Sequence, residues 1–118
     1  MFPIPPLEPQ EDALPAEQVR FQEVRVEPWP EGRRVRVHVT LTPFEQRPNL
    51  TAQISDSLQR LLCQADIIET INNRLVFTMH LRGEELIGPF HLDIVLLYPD
   101  MGQFDQRVVA FQIDEPAA

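Results

Sequence analysis

Three histidines, one cysteine and adjacent acids such as Glu84-Glu85 and Asp114-Glu115 are the side chains of this 118-residue chain with chemistry in reach. His38 and His80 each alternate with apolar neighbours, so on two adjacent strands both would point outward from one sheet, beside Arg36 and Arg82. A zinc ion needs at least a third protein ligand, and His91 lies in a separate run that this spacing does not bring to the same face. The expectation is therefore a solvated face, with no metal and no cofactor. Cys63 follows Leu61 and Leu62 and reads as a small buried hydrophobe; as the sole cysteine it allows no disulfide within the chain. Glu84-Glu85 and Asp114-Glu115 fall at turns or ends, where solvating charge is the simplest role. The four glycines are scattered at turns, forming no phosphate loop, and neither a Gly-x-Ser-x-Gly elbow nor a His-Glu-x-x-His pair is present. These residues point to no catalytic constellation, and the chain is expected not to be an enzyme.

The elements that would carry them are strands. Val35, Val37, Val39 and Leu41 alternate with Arg34, Arg36, His38 and Thr40, as a strand with one buried face requires. A first strand over residues 19–27 loses its alternation between Phe21 and Val24, which predicts a bulge. Leu50, Ala52 and Ile54 mark a third strand, Leu75, Phe77, Met79 and Leu81 a fifth, and Phe90, Leu92, Ile94, Leu96 and Tyr98 a sixth. Val109, Phe111 and Ile113 make the seventh. Residues 57–71 admit two readings. Leu58, Leu61, Leu62, Ala65 and Ile68 fit a helical stripe, yet the flanking Asp56-Ser57 and Asn72-Asn73 turns favour a fourth strand over 61–69. Val37, Val39, Phe77, Leu92 and Ile94 are expected to be almost fully buried.

Residues 1–18 are different in kind. They hold five of the twelve prolines, four acids and no arginine, which predicts a mobile or loosely docked proline-rich tail lacking helix or central strand. The domain proper is expected to span 19–114.

Seven strands without helical crossovers predict an all-β, antiparallel two-sheet sandwich. In strand count, spacing and the run Phe90-His91-Leu92-Asp93-Ile94 entering the sixth strand, residues 19–114 resemble the immunoglobulin-like superfamily, nearest to fibronectin type III-like and bacterial accessory domains. The resemblance implies a seven-stranded antiparallel immunoglobulin-like sandwich. Antibody domains carry Tyr-x-Cys where this chain has Phe90-x-Leu92, and the single Trp29 lies in the first turn instead of the third strand. The resemblance thus implies a fold and transfers no function.

Charge narrows the partners. A formal net charge of −8, with arginine as the only strong base, opposes binding to nucleic acid or to anionic membranes. The N-terminal sequence has no basic start before an apolar stretch, so a cytoplasmic location is the expectation. The sixth strand is apolar on both faces: Val95 and Leu97 back its inward set, and Val108 and Ala110 are expected beside them on the seventh. Such a patch needs a cover. The expectation is a non-catalytic interaction module contacting a protein partner or a second copy through Val95, Leu97, Val108 and Ala110, with Trp29 as a further contact. The alternative is a small-ligand protein or enzyme with a site assembled from loops.

Overall fold

Strict alternation makes β2 (Arg34–Leu41) the central strand of its sheet: Val35, Val37, Val39 and Leu41 are buried while the residues between them are not. The computed structural model describes residues 12–30, 32–83 and 85–113. β2 pairs antiparallel with β1 (Phe21–Pro28) on one side and β5 (Arg74–His80) on the other. The second sheet has the order β4-β3-β6-β7, built from β3 (Asn49–Ser55), β4 (Leu61–Ile67), β6 (Phe90–Tyr98) and β7 (Gly102–Phe111). All seven strands are antiparallel, and the two sheets form an immunoglobulin-like sandwich. The core between them is aliphatic, with Leu50, Ile54, Leu92, Ile94 and Leu96 fully buried against the β2 valines.

The fourth strand decides the outline. In constant-type immunoglobulin domains the fourth strand lies beside the fifth; here β4 pairs with β3. The three-stranded sheet therefore ends at β5. The helical reading of residues 57–71 does not form, because both ends of β4 are pinned in non-helical geometry. Asp56 accepts hydrogen bonds from the Leu58 and Arg60 amides while Gln59 is left-handed, at φ 63°. At the other end the Glu69 amide, at φ 46°, donates to Asn49 Oδ1 at 2.8 Å. Between those clamps the β3 ladder takes the backbone hydrogen bonds a helix would have used.

Three further expectations meet the structure. The slip in β1 is a register shift between Phe21 and Glu23. β7 starts earlier than its apolar alternation, at Gly102, because Asp105 and Arg107 occupy its inward positions. Phe77 is a correction: it faces inward but is only half-buried, since β5 is an edge strand and the β4 residues across from it include the small Cys63 and Ala65. Of the segment 1–18, residues 1–11 fall outside the described residues, as do Glu84, Asp114 and Glu115. Its remaining part lies against the sandwich: Leu14 bridges Phe44, Ala16 is buried, and Ala16–Gln18 forms a single 3-10 turn. Among the described residues no helix is long and apolar enough to cross a membrane.

Candidate functional site

A two-sheet sandwich has two margins where edge strands face each other, and here they differ. At the first, β1 meets β7. The Phe21 amide, turned outward on the edge strand β1, donates to Asp105 Oδ2 at 2.9 Å, and Arg107 donates to the Phe21 carbonyl at 2.8 Å. That margin is sealed by hydrogen bonds.

At the second, β4 faces β5 across a cleft of about 360 Å3. Leu61, Leu62, Cys63 and Ala65 line it from β4, and Met79, His80 and Arg82 from β5 and the turn beyond. Apolar side chains gather along this margin. Of the seven large apolar side chains that are exposed among the described residues, five lie here or in the adjoining turns: Leu58, Leu61, Ile68, Ile71 and Val76. Leu61 lines the cleft, Leu58 precedes β4, Ile68 and Ile71 follow its other end, and Val76 lies on the outer face of β5, so exposed apolar surface runs along both strands of this margin. Burial pushes the Cys63 thiol up to about 11, against the nearby positive charge of Arg82, so it is protonated and poorly nucleophilic at neutral pH.

The residues singled out in the sequence lie elsewhere. Val95, Leu97, Val108 and Ala110 share the outer face of β6 and β7, but the register interleaves them with polar residues. Val95 is opposite Gln106, Leu97 opposite Gln103, Val108 opposite Asp93 and Ala110 opposite His91. Gln106 Nε2 also spans both oxygens of Asp93, at 2.7 and 2.9 Å. Only Val95 and Val108 are diagonal neighbours; Leu97 and Ala110 extend away from them along their own strands. Trp29 sits half-buried at the end of β1, its ring under the guanidinium groups of Arg34 at 4.2 Å and Arg36 at 5.3 Å. His38 and His80 are not brought together: His38 is opposite Val76, and His80 opposite Arg34. His38 Nε2 instead lies 3.5 Å from Glu27 Oε1. Among the described residues no three His, Cys, Asp or Glu side chains gather as a metal site would require.

With this geometry in view, the likeness to solved structures is informative. The chain superposes on part of a β-glucuronidase from Parabacteroides merdae with a TM-score of 0.59 and 14% identity, and on part of a glycosyl hydrolase family 2 member from Bacteroides cellulosilyticus with 0.60 and 18%. Each match covers 80% of this chain but only 14% of the other. A second family 2 member from Bacteroides cellulosilyticus gives 0.52 at 15% identity. The likeness is one of fold. No protein-family model matches the chain, and no curated relative does.

The β4–β5 margin was missed in sequence for a definable reason. Leu58, Leu61 and Ile68 were visible there as a helical stripe. Once the segment is a strand, a stripe with helical spacing cannot remain on one face, and part of it must emerge into solvent. The ambiguity itself was the signal.

Proposed function

We propose that this domain is a non-catalytic interaction module that meets a protein partner along the β4–β5 margin. The observation that carries the reading is that Leu58, Leu61, Ile68, Ile71 and Val76 are exposed on β4, β5 and the turns flanking them, with Leu61 lining an open cleft between the two strands. The structures of similar fold support it: in chains named as a β-glucuronidase and glycosyl hydrolases, the matched stretch is 14% of the length, a minor part joined to a much larger remainder. An accessory place within or beside a larger assembly, as in the fibronectin type III-like and bacterial accessory domains this chain resembles, fits a small sandwich with one unsealed margin. The raised thiol pKa of Cys63 supports the absence of covalent chemistry in the cleft. A small-ligand role is the second reading, because the cleft volume lies within the range of ligand sites.

Selection of random displayed peptides against the whole chain tests the interaction reading, with the bound surface mapped by chemical-shift changes. Enriched peptides should perturb β4 and β5 and lose binding to a Leu61→Asp, Val76→Asp variant, whose altered side chains are exposed in the parent. No enrichment, or perturbation centred on another face, would overturn it.

A further inference from the structure

We infer that the free edge of β5 is the docking site for an extended peptide strand whose side chains alternate between apolar and acidic. This rests on the interaction reading above and names the chemistry of its partner. β5 pairs with β2 from Arg74 to His80 and ends its sheet, so no described strand pairs with its other side. Unpaired edge amides and carbonyls are a template for one more strand, and main-chain pairing fixes the added strand whatever its sequence.

Side-chain alternation then sets the specificity. Successive residues of a strand added to β5 point to opposite faces. One set enters the cleft, where Leu61, Leu62, Ala65 and Met79 offer apolar side chains a floor beside the polar Gln64 and Arg82. The other set lies on the outer face of the sheet beside Arg74, Val76 and, where the face meets the cleft rim, Thr78 and His80, with Arg34 and Arg36 one strand further in. The carboxylates on that outer face, Glu23 and Glu27, are both on β1 at the far side of the sheet. Each is already within 4 Å of an arginine: Glu23 lies 3.7 Å from Arg25, and Glu27 lies 3.8 Å from Arg36. Among the described residues of the three strands, the outer face carries four arginines, Arg25, Arg34, Arg36 and Arg74, against those two carboxylates, in a chain whose net charge is −8. Acidic side chains complement it.

The same charges disfavour a second copy as occupant. Two β5 edges paired antiparallel about Phe77 would join two arginine-bearing faces side by side, each with Arg74 on β5 and Arg34 and Arg36 one strand further in. A peptide with carboxylates at alternate positions turns that repulsion into attraction.

The probe is a short, acetylated and amidated peptide of repeating Glu-Leu-Glu-Val, titrated into the isotopically labelled full chain. The controls are its Lys-Leu-Lys-Val counterpart and a Glu peptide with alternate amides N-methylated. Shift changes should concentrate in β5 and the facing β4. The Glu peptide should bind about tenfold more tightly than the Lys peptide, the sum of a few exposed charge pairs. Its binding should weaken with added salt, and an Arg74→Glu, His80→Glu variant should reverse the preference. If that variant does not fold, the salt dependence and the Lys control on the parent still decide the point. Equal binding of the Glu and Lys peptides, undiminished binding of the N-methylated peptide, or shifts confined to β6 and β7 would overturn the inference. Should displayed peptides bind the margin without acidic alternation, the chemistry falls and the interaction reading stands. If no peptide binds there, both fall.

Discussion

The backbone amide of Phe21 donates a 2.9 Å hydrogen bond to the carboxylate of Asp105, 84 residues later in the chain. Together with Arg107 on the Phe21 carbonyl, this contact stitches the edge of one sheet to the edge of the other. It also accounts for two polar residues at inward positions of β7, where alternation would call for apolar ones. The outer edge of β1 leaves main-chain groups without ladder partners, and burial makes such groups costly unless something satisfies them. The sealing of this margin is what makes the openness of the opposite one informative.

Removing the stitch should therefore cost stability. Asp105→Ala leaves the Phe21 donor unsatisfied and should lower the unfolding free energy by about 1–3 kcal/mol. Urea titration measures this, with Gln103→Ala on the exposed part of β7 as a control that should change little.

The half-buried position of Phe77 predicts an inequality. Ile94 is fully buried, so Ile94→Ala should cost about 2–5 kcal/mol, the usual range for a core aliphatic. Phe77→Ala removes a larger side chain but should cost only about 1–3 kcal/mol, below the range for a fully buried aromatic. Parallel denaturant curves give the order, and a greater loss from Phe77 would mean that the β4–β5 margin is closed in solution.

Two groups set the pH limits, with opposite signs. Burial pushes the Asp56 carboxyl up, but hydrogen bonds from the Arg60 amide and side chain, its charge and the Leu58 amide outweigh it and hold the pKa below the ordinary 3.8. Near that pH the unfolded chain binds more protons than the folded one, so this stabilisation is complete above 3.8 and is lost as pH falls through the lower folded value. Tyr98 behaves conversely. Burial, and next the charge of Glu17, push its phenol from 10 to about 12, while its hydroxyl donates to the Gln46 carbonyl at 2.7 Å. That stabilisation is present below 10 and disappears as pH rises toward about 12. Denaturation midpoints across pH should show both limbs, with Asp56→Asn flattening the acid limb and Tyr98→Phe the alkaline one.

The outer face of β6 and β7 supplies a competing contact surface, separable by one substitution. Leu97 is half-buried and lies between Asn49 and Gln103 on the neighbouring strands. With contact assigned to the β4–β5 margin, Leu97→Arg should leave light scattering and peptide binding as in the parent over a range of concentrations. A parent dimer that Leu97→Arg dissociates would move the contact surface to Val95, Leu97, Val108 and Ala110.

Local pattern carried the strands but not their neighbours. β2 and β6 were legible because one face of each is buried along its whole length, which forces alternation. β4 was legible only through its turns, since Asp56 and Asn49 fix its ends by side-chain hydrogen bonds that leave short polar signatures. The early start of β7 was hidden, because Asp105 and Arg107 answer the open edge of β1 at Phe21, 84 and 86 residues away. The open margin was hidden for a similar reason. It follows from β4 joining β3 and leaving β5 uncovered, a choice between sheets that no single stretch of sequence records.

Trp29 under its arginines has an optical consequence. It is the only tryptophan, and its indole lies between β1 and β2 on the outside of the three-stranded sheet, stacked on Arg34 and Arg36. The only tyrosine, Tyr98, is buried in the core and in edge-to-face contact with Phe104. Indole emission excited at the red edge of the absorption band therefore reports the arginine-bearing face, while the tyrosine signal reports packing between the sheets. A ligand that displaces the guanidinium groups should change the first and leave the second, so occupancy and unfolding can be followed separately in one unlabelled sample.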